Sequence, residues 1–430
     1  MSKGKLAYEE TFSCVQCGYC LTSCPTYVSM GKETHSPRGR INLVKMAAEG
    51  KITYSELEGP ISLCLGCRAC EVACPTNVKY GIIFESAIEL LAANEKKEMP
   101  RRKRIFQEAL FGKLIPNKKA LNIVGTGMAI YQKTGIQKLA RKSGVLKIIP
   151  ENLRAFEAVL PRVEGLLQKR KRQTHYPSVG NSKYSIGFFS GCIMDTMFSS
   201  INTLSIKLLQ ASGCDVTIIS DQTCCGALQN HSGEVDITKG LAKKNIEAFE
   251  KHEFDFIVNS IGGCGAMLVE YDKLLANEQD WKERAGAFVK KIADISIILS
   301  KLKLPFKKEI SKVVTYQPSC HMTNVQKKVT EPLELLQSIP GIQYQELPNK
   351  NLCCGSAGIY NIVNFNESMD VLDGKMTSFQ KIPLQPEIIV TTNPGCHLQM
   401  KLGVERIKKS KQIRTVHLVE LLAESCDITV

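Results

Sequence analysis

The stretch that decides the fold is Cys14-Val15-Gln16-Cys17-Gly18-Tyr19-Cys20-Leu21-Thr22-Ser23-Cys24-Pro25. Its four cysteines and closing proline return 50 residues later as Cys64-x-x-Cys67-x-x-Cys70-x-x-x-Cys74-Pro75. The chain begins without the apolar run of a secretory signal, so we expect it to stay in a reducing cytoplasm, where structural disulfides are rare. The repeated cysteines are therefore expected to be thiolate ligands.

Each cysteine run has the spacing by which bacterial ferredoxins hold a [4Fe–4S] cluster. Three thiolates spaced three residues apart bind three corners of a cubane, and the fourth, followed by proline, points toward the neighbouring cluster. The spacing thus predicts two clusters, with Cys14, Cys17, Cys20 and Cys74 as ligands of the first and Cys64, Cys67, Cys70 and Cys24 as ligands of the second. The alternative is a pair of zinc sites, but a zinc ribbon needs only two Cys-x-x-Cys pairs.

The segment between the runs, Pro37 to Gly50, is expected to be a helix, because proline opens it and glycine ends it. Arg38 and Arg40 lie in its first turn. Two interpretations of these arginines remain open: they neutralise the charge of the clusters, or they are solvated.

The charge of the chain is local. The 430 residues carry 56 Lys and Arg against 42 Asp and Glu, a net charge of +14. Residues 96–172 alone hold 20 Lys and Arg against five Asp and Glu, so the remainder is nearly neutral. This length predicts two or three domains. The sequence contains no run of about 18 apolar residues, so we expect no membrane-spanning helix.

The basic segment predicts a connector made of helices. One would begin near Arg101, with Ile105, Phe106, Ala109, Leu110 and Ile115 near helical spacing, and another would cover 128–139. Lys169-Arg170-Lys171-Arg172 precede a loop, 174–181, which we interpret as a linker. Either residues 101–119 contact anionic lipid or an acidic partner, or these helices pack on the chain's own domains. Nucleic acid is not expected, because no nucleic-acid-binding motif accompanies the charge.

A second duplication begins near residue 184. Cys192, Cys224-Cys225-Gly226 and Cys264 return as Cys320, Cys353-Cys354-Gly355 and Cys396, at offsets of 128, 129, 129 and 132. Short apolar runs alternate with helical patterns in both units, which predicts two α/β domains with largely parallel sheets. Most of these cysteines follow strand-like runs, and loops at the carboxyl ends of parallel strands meet at one edge of the sheet.

Four thiols per unit are enough for a [4Fe–4S] cluster or for Zn. We therefore expect a third site at Cys192, Cys224, Cys225 and Cys264 and a fourth at Cys320, Cys353, Cys354 and Cys396; the alternative is structural cysteines at buried strand ends. Cys214 and Cys426 complete the 18 cysteines and belong to no motif.

Two ferredoxin-type motifs followed by two Cys-Cys-Gly units resemble the iron–sulfur subunits of glycolate oxidases. Ser36-Pro37-Arg38-Gly39-Arg40-Ile41 and Asn393-Pro394-Gly395-Cys396-His397-Leu398-Gln399-Met400 strengthen the match. The resemblance implies an electron-transfer subunit that takes electrons from an FAD-containing glycolate oxidase-type subunit and passes them toward a quinone. Donors such as lactate or glycerol 3-phosphate are open alternatives, because iron–sulfur subunits of other flavin-linked dehydrogenases share these features.

The chain also resembles heterodisulfide reductase subunits, but it departs from them at one position. Their motif ends in Cys-x-x-Cys, whereas this chain has Cys264-Gly265-Ala266-Met267 and Cys396-His397-Leu398-Gln399. The missing cysteine weakens the alternative of a thiol/disulfide reductase. No Gly-x-Gly-x-x-Gly motif follows a strand and no catalytic triad or carboxylate pair stands out, so substrate oxidation is expected on a partner chain, with no catalytic residue here.

The sequence as a whole predicts an α+β multidomain protein. Its parts are a helical two-cluster ferredoxin-type domain (1–95), a basic helical connector (96–180) and two duplicated α/β Cys-Cys-Gly domains (181–305 and 306–430). We expect a cytoplasmic location, with peripheral contact at the inner face of the cell membrane through 101–119 as the open question.

Overall fold

The computed structural model describes residues 6–165, 172–409 and 412–430. Its first part is a helical domain that carries both cysteine runs on the loops between short helices. It contains the 3₁₀ turns Glu9–Ser13 and Glu33–His35 and the helices Pro25–Met30, Pro37–Ala48, Tyr54–Ser62, Ala69–Val72 and Tyr80–Glu98. Helix Pro37–Ala48 confirms the expectation for this segment: the Ser36 hydroxyl accepts from the Gly39 N–H, and Gly50 follows with φ 75°.

The connector packs on both Cys-Cys-Gly units. It consists of helix Arg101–Glu108, a π-helical turn Ala109–Leu114, helices Lys118–Lys133 and Ile136–Ser143, a 3₁₀ turn Val145–Ile148 and helix Glu151–Val159. The Phe111 ring is buried in the core of the first unit, and its carbonyl accepts from Gln229 Nε2 at 3.0 Å. Val159 is buried in the second unit, and Asn152 Nδ2 donates to the Ile362 carbonyl at 2.7 Å. The connector therefore has structural contacts at both of its ends.

Each Cys-Cys-Gly unit is a sheet covered by helices, as the duplication predicts. The first sheet contains β1 (His175–Tyr176), β2 (Tyr184–Phe188), β3 (Cys214–Ile218), β4 (Phe256–Asn259) and β5 (Ile292–Asp294), in the order β1-β3-β2-β4-β5. The second contains β6 (Val313–Tyr316), β7 (Gln343–Tyr344), β8 (Ile388–Thr391) and β9 (Arg414–His417), in the order β7-β6-β8-β9. Every pairing except β1 with β3 is parallel, and β3-β2-β4-β5 corresponds strand for strand to β7-β6-β8-β9.

The helices of the two units also correspond. The first unit contains helices Ile193–Met197, Ser199–Ala211, Ala227–His231, Val235–Glu250, Gly262–Leu268, Tyr271–Leu274, Gln279–Lys291 and Ile295–Ser300. The second contains Cys320–Asn324, Glu331–Gln337, Tyr360–Val363, Phe365–Gln380, Pro394–Arg406 and Leu418–Ser425. Val235–Glu250 and Phe365–Gln380 occupy the same place after the Cys-Cys-Gly loops and have 16 residues each.

The two units pack on each other reciprocally. Helix Ser199–Ala211 of the first contacts helix Leu418–Ser425 of the second, and the corresponding pair, Ile295–Ser300 and Glu331–Gln337, makes the equivalent contact in reverse. One buried core runs across both units, from Ile186 and Leu208 to Val314 and Leu421. The units are therefore halves of one body related by a pseudo-two-fold arrangement.

Two local expectations were wrong. The helix expected over 128–139 is interrupted, because Gly135 with φ 83° separates Lys118–Lys133 from Ile136–Ser143. The supposed linker 174–181 contributes strand β1 to the first sheet. Ile105 and Phe106 are 53% and 68% exposed, whereas Phe111 and Ile115 of the same segment are buried, so this segment has both an exposed apolar pair and a packed side. Of the basic run 169–172, residues 169–171 lie outside the described residues.

Candidate metal centres

Two cavities in the N-terminal domain are lined by the two cysteine sets that the spacing predicts. The first cavity, of about 400 Å³, is lined by Cys14, Cys17, Cys20 and Cys74, and also touches Cys70. The second cavity, of about 300 Å³, is lined by Cys24, Cys64, Cys67 and Cys70. The fourth cysteine of each run thus lies with the first three cysteines of the other run. Because all 18 cysteines are free thiols, none of these groups is tied up in a disulfide.

The second cavity has a buried positive charge beside it. Arg40 is 1% exposed, donates from Nε to the Pro60 carbonyl at 2.7 Å and from Nη1 to the Thr26 hydroxyl at 3.1 Å, and leaves Nη2 without a partner. Although burial opposes its charge, the neighbouring Cys64 and Cys24 hold the pKa of the Arg40 guanidinium above its usual value. A buried guanidinium with a free N–H beside four thiols fits an anionic iron–sulfur cluster at this place.

Arg38 differs from Arg40. Its guanidinium forms an ion pair with Glu33 at 2.7 Å and donates from Nη1 to the carbonyl of Gln16, in the loop of the first cavity, at 3.0 Å. Arg40 is therefore not the solvated residue that one interpretation proposed, and Arg38 supports the first cysteine loop through its backbone.

The Cys-Cys-Gly cysteines come together in two groups at the carboxyl edges of the sheets. Cys192 follows β2, Cys224 and Cys225 follow β3, and Cys264 follows β4, so the three loops meet at one edge. The Sγ atoms of Cys192 and Cys224 are 3.4 Å apart, and those of Cys225 and Cys264 are 3.2 Å apart. We call this group the first thiol row. Gly226, with φ 90°, makes the turn that follows the Cys-Cys pair.

The second thiol row repeats this arrangement with Cys320, Cys353, Cys354 and Cys396. The Sγ atoms of Cys320 and Cys353 are 3.9 Å apart, and Cys354 interacts with Cys396. Thiol–thiol hydrogen bonding, followed by burial, raises the pKa of Cys192 in the first row and of Cys320 in the second. These two thiols therefore keep their protons at neutral pH until a metal displaces them.

Among the described residues, no three His, Cys, Asp or Glu side chains are arranged to hold a single metal ion. The donor set of four adjacent thiols is nonetheless the one that a [4Fe–4S] cluster uses.

The second cavity borders the second thiol row directly. Leu65 and Cys67 share one buried cluster with Cys353 and Tyr360, and Cys320 packs against it. Asn324 Nδ2 donates to the Cys67 carbonyl at 2.7 Å. The cysteines of the ferredoxin-type domain and those of the second unit thus adjoin across a buried interface that contains a hydrogen bond.

The first unit meets the N-terminal domain at a charged junction. Arg68, which has φ 56°, donates to Glu71 and, from Nη1, to Glu270 at 2.6 Å. Beside it, a cavity of about 400 Å³ is lined by Glu85, His231 and other groups. Burial, with Glu270 nearby, raises the pKa of Glu85 to about 7.

The histidines near the cysteines differ in their contacts. His321 Nδ1 is 3.5 Å from Cys320 Sγ, and its ring stands edge-on to that of His231. His397 packs against the Phe198 ring and leaves Nδ1 without a partner. Burial lowers the pKa of both His321 and His397 to about 3, so both rings are neutral.

Sequence reasoning missed one buried cation. Lys375 is 4% exposed, donates from Nζ to the Asn349 carbonyl at 2.6 Å, and interacts electrostatically with all four thiols of the second row. Burial lowers the pKa of Lys375 to about 8, and the thiols oppose that shift. A signal was available: Lys375 falls on the apolar face of helix Phe365–Gln380, between Leu372 and Phe379.

These centres define the class of the protein, a dicluster ferredoxin-type module joined to a pair of thiol-bearing α/β domains. Family models match in the same order: a 4Fe-4S dicluster domain at residues 10–78, the linker region of the glycolate oxidase iron–sulfur subunit at 102–160, and a cysteine-rich domain at both 186–269 and 314–401. The chain belongs to the family of glycolate oxidase iron–sulfur subunits.

Its relatives agree with this assignment. The chain is 46% identical to a probable glycolate oxidase iron-sulfur subunit of Bacillus subtilis over 98% of this chain and 96% of the relative. It is 27% identical to the glycolate oxidase iron-sulfur subunit of Escherichia coli over 90% and 89% of the two chains. Lactate utilization protein A of Halalkalibacterium halodurans is 32% identical over 55% of this chain and 96% of its own length.

Proposed function

We propose that this chain is the electron-transfer subunit of a glycolate oxidase complex, in which a partner subunit containing FAD oxidises glycolate and a quinone accepts the electrons. The observation that carries the proposal is the contiguity of three cysteine sites, from the exposed first cavity to the buried second cavity and on to the second thiol row. Substrate oxidation belongs to the partner, and this chain contributes the sites that connect it to the acceptor.

The cysteines that line each cavity would form the ligand set of one cluster. Cys14, Cys17, Cys20 and Cys74 would hold one [4Fe–4S] cluster, and Cys64, Cys67, Cys70 and Cys24 the other. The two thiol rows would hold a further cluster each, with zinc as the alternative occupant. Bound clusters supply one-electron transfer; the chain's own residues exclude water from the second cavity and place Arg40 as its counter-charge.

The flavin-containing subunit would approach the rim of the first cavity. Cys17 is exposed there, and the neighbouring Val15 and Tyr19 are 65% and 70% exposed. Exposed apolar side chains around the cysteines of the first cavity suit a protein partner, because protein interfaces bury aromatic and aliphatic side chains at their centre.

The connector would hold the complex at the inner face of the cell membrane. Within the described ranges, no helix has the length and apolar character needed to cross a bilayer. The segment 101–119 instead presents Phe106 beside Arg101 and Arg102, all exposed. Cationic side chains next to exposed apolar ones favour a surface of anionic lipid.

Reconstitution with a partner tests the main proposal. Anaerobically loaded chain is mixed with an FAD-containing glycolate oxidase-type subunit, and glycolate is added while the iron–sulfur absorbance is followed. We expect bleaching by glycolate only when both chains are present. Bleaching of this chain by glycolate without the partner, or no bleaching with it, would overturn the proposal.

Liposome flotation tests the membrane contact. Deleting 101–119 is too disruptive, since Phe111 is buried in the first unit and accepts from Gln229. The variant is therefore Arg101→Glu/Arg102→Glu/Phe106→Ser, with Lys303→Glu/Lys381→Glu, at two exposed lysines outside the segment, as a control with the same change of charge. The triple variant should float less with vesicles rich in phosphatidylglycerol, and equal flotation of all proteins would contradict the contact.

Lactate is the second candidate donor, because the match to lactate utilization protein A covers 96% of that protein. Replacing glycolate by L-lactate, together with its own flavin-containing partner, decides between the two donors.

Metal analysis decides the occupancy of the thiol rows: about eight Fe per chain means the two ferredoxin-type clusters alone, and about 12 or 16 means one or two more. About eight Fe together with Zn would support zinc in the rows.

A further inference from the structure

The two thiol rows differ in one buried position. Helices Val235–Glu250 and Phe365–Gln380 pack behind the two Cys-Cys-Gly loops, and they correspond residue by residue because both have the same length and place in their units. The eleventh residue of the first helix is Asn245, and the eleventh of the second is Lys375. Both are buried, at 0% and 4% exposure.

Asn245 is uncharged and holds the loop of the first thiol row through hydrogen bonds. Its Oδ1 accepts from the Thr223 N–H at 2.8 Å, and its Nδ2 donates to the Cys224 carbonyl at 3.0 Å and to the Tyr271 hydroxyl at 3.1 Å. The Tyr271 hydroxyl in turn donates to the Cys225 carbonyl at 2.8 Å. All these bonds hold the backbone of the loop and bring no net charge to the sulfurs.

In the described structure Lys375 has one hydrogen bond, to the Asn349 carbonyl. Leu372 and Met376, its neighbours on the same helix face, share one buried cluster with Cys354 and Cys396, so the buried Lys375 brings a cation to the side of the second thiol row. A cation that replaces a neutral amide at a buried position has an effect through its field, because charges interact strongly where water is excluded. Burying a lysine is unfavourable unless a negative charge lies close to it. Four thiol ligands of an iron–sulfur cluster supply that negative charge.

We propose that Lys375 sets the charge balance of the second thiol row and makes the [4Fe–4S] cluster held there easier to reduce than one held by the first row. This inference rests on the proposed function, which places clusters on the rows. In the step concerned, one electron is added, no bond or proton changes place, and the net charge of the site becomes more negative by one. The reductant is a flavin hydroquinone in the complex and dithionite in the test. The Lys375 ammonium stabilises the reduced state, so the two rows have different reduction potentials and the second is the preferred electron acceptor.

Redox titration of the full chain, loaded anaerobically and followed by electron paramagnetic resonance, tests this inference. The variants are Lys375→Met and Lys375→Gln, with Lys381→Met, an exposed lysine at the end of the same helix, as the matched control. Both Lys375 variants should lower the ratio of reduced to oxidised cluster at fixed potential by about tenfold, which is a shift of about 59 mV for one electron. The shift should affect one signal, the one that Cys354→Ser removes.

The iron content separates charge from packing. Lys375→Arg keeps the charge and should restore the wild-type potential, whereas a purely structural role would leave Lys375→Met and Lys375→Gln with lower iron content and unchanged potentials. Unchanged potentials in both neutral variants, or an equal shift in Lys381→Met, would overturn the inference. A wild-type chain with only eight Fe would overturn it too, while electron transfer from the flavin-containing partner would then still stand or fall on the glycolate-bleaching experiment.

Discussion

Asn324 donates a hydrogen bond from Nδ2 to the backbone carbonyl of Cys67 at 2.7 Å, across 257 residues of sequence. Both groups are buried. This bond fixes the loop of the second cavity against the helix that begins at Cys320, so two cysteine sites from different domains share one rigid support.

Asn324→Ala should therefore weaken the junction. The Cys67 carbonyl would lose its partner in a buried place, which costs about 1–3 kcal/mol. We expect a lower thermal midpoint of the loaded chain. We also expect slower electron transfer from the dithionite-reduced N-terminal clusters to the cluster held by the second thiol row. The control is Asn364→Ala, which removes the exposed bond to the Ser62 carbonyl; a similar loss in both variants would argue against a special role for Asn324.

Arg40→Met should selectively impair the second cavity. The substitution removes the hydrogen bonds to the Pro60 carbonyl and the Thr26 hydroxyl, at about 1.5–3 kcal/mol for each bond to a charged group, and removes the cation beside Cys24. We expect the loss of about four Fe per chain or a lower potential of one signal. Lys32→Gln, at an exposed lysine of the same domain, serves as the control, and full iron content with unchanged potentials in Arg40→Met would contradict this role.

The fourth cysteine of each run is expected to bind the cluster of the other run. Substitutions in different runs should therefore have the same phenotype when they affect the same cluster. Cys14→Ser and Cys74→Ser should remove the same resonance signal although they are 60 positions apart, while Cys24→Ser and Cys64→Ser should remove the other. Each variant should lose about four Fe. Cys426→Ala, at a buried thiol outside all four groups, should keep its iron. If Cys14 and Cys24 variants shared a phenotype instead, each run would hold its own cluster.

The stability of the chain should depend on pH through Glu85. Its folded-state pKa, about 7, lies above the ordinary value of 4.5, so the folded state retains the proton over this interval. The free energy of unfolding should therefore fall as the pH rises from 4.5 to 7 and then level off, by roughly up to 3 kcal/mol.

Glu85→Gln removes this dependence. Its thermal midpoint, relative to that of the wild type, should rise between pH 5 and pH 8. Glu89→Gln, on the exposed side of the same helix, should follow the wild-type curve. Parallel curves for wild type and Glu85→Gln would show that folding does not raise the pKa of Glu85.

The rim of the first cavity gives a prediction for assembly. Val15→Asp/Tyr19→Asp adds two charges to an exposed apolar surface, and desolvating them on docking should weaken binding of the flavin-containing subunit at least about tenfold. Isothermal calorimetry with the partner measures this, and Val179→Asp, at another exposed valine, is the control. Equal affinities would place the partner elsewhere.

Much of this architecture could be predicted from the cysteine spacing. The two runs lead to the grouping of Cys24 with Cys64 because the spacing constrains where each thiol can reach. The offsets between Cys192 and Cys320 predict two equivalent sheets because a duplicated pattern must fold twice in the same way.

Contacts between distant segments could not be predicted in this way. The Asn324–Cys67 bond depends on how two domains dock, and no periodicity encodes that. Phe106 is exposed and Phe111 is buried, and helical spacing alone does not reveal which of the two packs on the first unit. The charge of the buried Lys375 stands out only by comparison with Asn245, the neutral residue at the equivalent position of the first unit.

The reciprocal packing of the two Cys-Cys-Gly units has an evolutionary consequence. A contact in which helix Ser199–Ala211 meets Leu418–Ser425 while Ile295–Ser300 meets Glu331–Gln337 is the pattern of an isologous homodimer. A single-unit ancestor would have paired with its own copy through this face, and any mutation would have appeared at both sites at once. Two units fused in one chain are free of that constraint, so one unit can carry a lysine at the position where the other carries an asparagine.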